Sequence, residues 1–214
     1  MRFFEIASNP RAAADAVRQR VEAMSPEQQA VLYEALVGSI GNWITGDGMV
    51  TASNDQFVEP FRLIASVINH TQRKRLRVVY RGTKMDTITP EIEAALRGPG
   101  AYKVVTSTKA LQSWTTKMAE AVPFASWQDH AVGENGVVFA SRASNLDVIL
   151  TLADVAEDYF TMVDPMPYEI RSRWSDSMMG VYYDLERYKH QNEAIVLTPP
   201  GGLVPVTQAK LIRG

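Results

Sequence analysis

Glu193 closes the polar run Tyr188-Lys189-His190-Gln191-Asn192-Glu193 and stands directly before the apolar stretch Ala194-Ile195-Val196-Leu197. A carboxylate at the mouth of a buried strand is fixed in space. Gln191, two residues earlier along extended backbone, points the same way. Two other segments supply what this edge lacks. Tyr80-Arg81-Gly82 ends an apolar strand with a cation, and Ser113-Trp114-Thr115-Thr116 opens a helix with hydroxyls. An anion, a cation and orienting hydroxyls make these three segments a candidate catalytic set.

Other chemistries find little support in the chain. It has no cysteine, which excludes disulfides, thiol nucleophiles and thiolate metal sites. His70, His130 and His190 stand in no HExxH frame, so no metal is expected. Neither a GxxxxGK[ST] nor a GxGxxG phosphate loop occurs, and there is no GxSxG elbow. Gly98-Pro99-Gly100 is a turn. A net charge of -2 gives no global pull toward nucleic acid or an anionic membrane. No apolar run reaches the roughly 18 residues of a membrane span, which predicts a soluble, cytoplasmic protein without a membrane partner.

The elements that must position the set divide the chain in two. At 214 residues and 46% hydrophobic, it can bury a sizeable core. Alanine-rich spacing over 10–24 predicts a helix. Ser25-Pro26-Glu27-Gln28 starts another that carries Val31, Leu32, Ala35, Leu36 and Ile40, and Ser53-Asn54-Asp55 caps a third with Phe57, Phe61, Ile64 and Ile68. The basic run Arg73-Lys74-Arg75, with Arg77, leads into a strand over 76–80. A short helix over 90–96 follows, then strands over 136–140, 195–198 and 203–207, with a last strand or tail over 209–212. Residues 146–155 read as helix or long strand. Non-local pairing of short strands predicts a mixed sheet.

In their order and spacing, Tyr80-Arg81-Gly82, Ser113-Trp114-Thr115-Thr116-Lys117-Met118-Ala119 and Tyr188 to Glu193 resemble the three-part signature of the Arg-Ser-Glu class mono-ADP-ribosyltransferases. The overall size and helical lead are similar to the tailed-phage Mod-type enzymes. The likeness covers residues 71–214. It implies an α+β fold, with a helical N-terminal segment (1–70) followed by an ADP-ribosyltransferase-like catalytic core (71–214) built on a split mixed β-sheet that clefts around NAD.

Within that likeness, Arg81 grips the pyrophosphate or adjacent ribose with its planar fork, and Gly82 lets backbone approach the ligand. Thr115 bonds Glu193 or the nicotinamide ribose, and Thr116 braces the strand end. Phe124 or Trp127 covers nicotinamide. Glu193 stabilises the oxocarbenium-like sugar formed as nicotinamide leaves. Gln191 orients the nucleophile, and Tyr188 sits on the target-recognition turn. Two positions depart from the family pattern: Lys117 replaces a serine, and Gln191 replaces the first acid of Glu-x-Glu, which counts against an arginine acceptor.

The resemblance implies NAD as co-substrate, no metal, and a macromolecular acceptor, first a host protein in the host cytoplasm. A nucleic acid acceptor or NAD-linked RNA is the alternative that the basic run allows. An NAD glycohydrolase and a non-catalytic scaffold are the competing readings. Each residue also has an ordinary structural role open to it. Arg81 can be a salt-bridged surface cation, Thr115 and Thr116 a helix cap, and Glu193 a solvated strand-end acid. Thr106-Ser107-Thr108 is a rival hydroxyl cluster.

Overall fold

The computed structural model describes residues 10–45, 54–107, 109–126, 135–172, 175–188 and 193–212. Helical stretches come first among the described residues. They are α1 (Pro10–Glu22), α2 (Pro26–Glu34), a π turn at Ala35–Ser39 that runs on into α3 (Ile40–Thr45), and α4 (Val58–Val67) after a 3-10 turn. Ser25 starts α2 through a capping box: its hydroxyl accepts the Gln28 N–H at 3.3 Å, and Gln28 Oε1 accepts the Ser25 N–H at 2.9 Å.

The remaining chain alternates β1 (Val78–Met85), α5 (Pro90–Arg97), β2 (Tyr102–Val105), β3 (Leu111–Thr115), α6 (Met118–Ser126), β4 (Asn135–Arg142), β5 (Asp147–Thr151), α7 (Leu152–Val163), α8 (Tyr168–Arg171), α9 (Ser175–Tyr188), β6 (Glu193–Leu197), β7 (Leu203–Val206) and β8 (Gln208–Ile212). Six strands form one sheet in the order β5-β6-β3-β1-β4-β8, and β2 pairs with β7 in a second. The fold is α+β as expected. The ladders among the described residues are all antiparallel, so the expected mixed sheet is corrected.

Several local expectations also change. The first strand does not end at Gly82 but runs on to Met85, paired with β4 along its whole length. Ser113-Trp114-Thr115 opens no helix. It lies in β3, where Trp114 is buried on one face while Ser113 and Thr115 point to the other, and α6 begins only at Met118. The ambiguous stretch over 146–155 is both of its alternatives in succession, β5 and then the start of α7, with Thr151 accepting the Asp154 N–H as the cap. Asn54 makes no cap bond; its amide is used elsewhere, as described below.

One face of the large sheet packs under the helices. Phe57, Phe61, Ile64 and Ile68 share a core with Leu111, Leu150 and Ile195, so the first third of the chain and the sheet bury one another. The other face packs Val79, Trp114, Phe139 and Val196 against α5 and the β2-β7 pair. Helix α6 lies against β1 and β4 through Ala121 and Ala125.

That close approach explains Gly82. A Cβ there would collide with the Ala121 carbonyl, and one at Gly136 with the Ala125 carbonyl. The close approach that Gly82 permits in this structure is that of helix α6. Gly82→Ala is expected to cost about 1–3 kcal/mol of stability, read from the urea midpoint, because backbone rather than a flexible side chain must give way.

Candidate functional site

The sheet is open along one internal seam. β1 and β3 share only the pair Tyr80↔Thr115. In an antiparallel strand, alternate residues aim both backbone groups at the same neighbour. Ala110 turns its carbonyl toward the β6 side, where the Thr198 N–H reaches it at 2.7 Å. Leu111, Ser113 and Thr115 therefore face β1, and only Thr115 finds it. Side chains serve the others. The Asn54 amide brackets Leu111, Nδ2 donating to its carbonyl at 2.8 Å and Oδ1 accepting its N–H at 3.0 Å. Arg81 Nη1 reaches from β1 to the Ser113 carbonyl at 2.8 Å. Orphaned backbone groups are thus satisfied without closing the seam.

Glu193 opens β6 directly opposite Thr115. Opposed residues share a face, so Ser113, Thr115 and Glu193 all point to the helix-covered side. Trp43 of α3, itself 2% exposed, donates Nε1–H to Glu193 Oε1 at 2.8 Å. The Ser113 side chain bonds the same carboxylate. Burial pushes the Glu193 carboxyl above its ordinary range, and the bonds from Ser113 and Trp43 and the charge of Arg81 pull against that shift.

Arg81 is the matching cation. Burial lowers its guanidinium from 12.5 to about 10, and the charge of Glu193 opposes the change. Its Nε is sealed from solvent and has no hydrogen-bond partner among the described residues. A buried donor left unmade is costly, and a guanidinium is built to bind an anion through several N–H groups at once. Lys109, two residues before Leu111 along the seam, is depressed by burial first and by Arg81 second. It lines a hollow of about 500 Å³ with Asp55, Thr198 and the Pro199-Pro200-Gly201 turn.

The structure brings Arg81, Thr115 and Glu193 together, as the sequence motifs anticipate. The division of labour differs. The hydroxyl bonded to Glu193 is that of Ser113, whereas Thr115 donates to Glu120 Oε2 at 2.7 Å. Lys117, in the departing position, pairs with Glu120 Oε1 at 3.0 Å. Thr116 lines a separate hollow of about 280 Å³ with Arg75 and Arg77. The rival cluster serves a loop: Thr106 bonds Gln112 at 2.6 Å, and Ser107 accepts the Lys109 N–H at 3.2 Å. Phe124 is 55% exposed on α6. Tyr188 ends α9, while Gln191, Trp127 and Thr108 lie outside the described residues.

Sequence reasoning missed Trp43 and Asn54. Ser113 was within reach of it, because strand alternation alone puts Ser113 and Thr115 on one face. The π turn resets the helical phase just before Trp43. Trp43→Phe keeps a ring but deletes the N–H. Glu193 is expected to titrate at still higher pH in this variant, followed by 13C NMR of the labelled carboxyl; a tryptophan that only fills space leaves the titration where it is.

Among the described residues, no group of three His, Asp or Glu could hold a metal ion, and no helix is long and apolar enough to cross a membrane. Comparison with protein-family profiles, curated proteins and solved structures found no match to this chain.

Proposed function

We propose that this chain is an NAD-dependent mono-ADP-ribosyltransferase, moving ADP-ribose from NAD to a macromolecular acceptor, first a protein side chain, with release of nicotinamide. The observation that carries the reading is the convergence at the β1/β3 seam of a desolvated carboxylate and a buried guanidinium with a spare N–H. In this reading the opened six-stranded sheet is an ADP-ribosyltransferase-like core, and the seam takes the dinucleotide.

Each group then has a task that its surroundings suit. Arg81 holds the pyrophosphate through the donors that Ser113 leaves free, and Lys109 adds positive charge on the side of the larger hollow. Glu193 faces the nicotinamide ribose. As the bond from C1′ to the nicotinamide nitrogen breaks, its electron pair leaves with nicotinamide and positive charge grows on the sugar. A fixed anion stabilises that charge better than mobile water, because it has no reorganisation left to undergo. Trp43 and Ser113 keep the carboxylate aimed and oppose the upward push of burial on its pKa.

The test is incubation of a host-cell lysate with NAD labelled in the adenosine half, with and without the protein. Label on protein or nucleic acid, lost in Glu193→Gln, is the expected result. Free ADP-ribose with unlabelled macromolecules would instead identify an NAD glycohydrolase. Absence of both products overturns the reading.

A further inference from the structure

Glu120 is the second carboxylate at the seam, and the transfer reaction leaves a role for one. Glu193 must stay anionic beside the developing sugar cation. Gln191 is an amide and accepts no proton. The incoming nucleophile still has to lose a proton when it bonds to C1′.

We infer that Glu120 is the general base that takes this proton, which rests on the transferase reading above. Thr115 links the two acids. It is the ladder partner of Glu193 and donates its hydroxyl to Glu120 Oε2 at 2.7 Å. Directly opposed Cβ atoms lie about 4.5–5.5 Å apart. With Thr115 between them, the two acids flank one residue and are not bonded to each other, the arrangement that a divided task for two carboxylates requires.

Helix α6 presents Glu120 on the same side of the sheet as Glu193, since Tyr80, the β1 partner of Thr115, packs with Met118 in the α6 core. The side chain of Glu120 is 28% exposed, open enough for an acceptor to reach. Lys117 Nζ, 3.0 Å from Oε1, and the Thr115 hydroxyl together fix where the carboxylate stands.

The step balances. The nicotinamide C1′–N bond breaks with its pair going to the ring nitrogen, a lone pair of the acceptor forms the new bond to C1′, and the acceptor proton passes to a Glu120 oxygen and then to water.

An ordinary alternative exists for Glu120, that it merely steadies the first turn of α6 through Thr115 and Lys117. Nucleophiles that need a base and nucleophiles that do not will tell the two apart. Wild type, Glu120→Gln and Glu120→Ala are given NAD in buffer alone and with sodium azide, with nicotinamide release followed by chromatography and ADP-ribosyl azide by mass spectrometry. Water must shed a proton; azide carries none. In buffer the variants are expected to release nicotinamide at least about tenfold more slowly than wild type, and azide is expected to restore most of the loss with formation of the azide adduct. Two variants guard against one failing to fold, and thermal melts identify such a failure. Wild-type rates for folded variants in buffer overturn the inference, as does a loss that azide leaves untouched. A wild-type protein that releases no nicotinamide under any condition defeats the transferase reading instead.

Discussion

Glu193→Gln is expected to lower nicotinamide release by about 100- to 1000-fold while leaving the fold intact, the scale of loss when one preorganised charge-stabilising group is removed. Trp43 Nε1–H can still donate to the amide oxygen of the variant, so the geometry survives and only the charge is lost. Stability should change in the opposite sense to activity. The folded carboxyl of Glu193 titrates above the ordinary glutamate value. Its contribution to stability is therefore fully present below the unfolded value, about 4.3, and is lost as pH rises through the raised folded value. Glu193→Gln carries no such loss. Its melting temperature should match wild type near pH 4 and exceed it at neutral pH. In the proposed transferase the reaction needs the anion, so the acidic limb of the wild-type profile should lie above the usual carboxylate range. A limb at the ordinary glutamate value, or equal melts at both pH values, would remove burial as the controlling term.

Arg81→Lys is expected to weaken NAD binding by about 10- to 100-fold, the equivalent of one charge-assisted hydrogen bond of roughly 1.5–3 kcal/mol. The substitution is not conservative here. In the proposed reading arginine serves two partners from one planar fork, Nη1 on the Ser113 carbonyl and Nε for an anion; an ammonium has no such fixed geometry. Burial already brings the guanidinium down to about 10. Lysine starts lower, about 10.4, and the same burial drives it toward the neutral form. Calorimetric titration with NAD measures the change. Unaltered affinity would mean that the buried Nε faces no ligand and that Arg81 is only a brace for β3.

How much of this could be read from the residues alone follows from the range of each interaction. Tyr80-Arg81-Gly82 and Glu193 were legible because each sits at a local change from polar to apolar sequence. The helices over 10–22, 26–34 and 90–97 carry their caps or first-turn prolines within a few residues. Ser113-Trp114-Thr115 was misread because hydroxyls before an alanine-containing helix look like a cap, and the strand that overrides this propensity is made by pairing with β6, some 80 residues away. The short β2 has only four residues, too few for a period. Trp43 had no local mark at all: its partner is 150 positions distant. Asn54 had the right composition for a helix start and is used instead as a substitute for main chain. Gly82 was singled out for closeness of backbone, and the neighbour that comes close is α6.

The bracketing of Leu111 by Asn54 bears on how wide the aperture between β1 and β3 can become. Neighbouring strands are held about 4.8 Å apart when their own peptides bond; here Asn54 takes the Leu111 peptide in place of β1, and the Arg81 guanidinium is the strut that crosses from β1 to Ser113. Rotamers of such struts can change without any strand sliding past its neighbour. The doorway can therefore alter its width while the registers of β3 on β6 and of β1 on β4, and the walls they build, stay as they are.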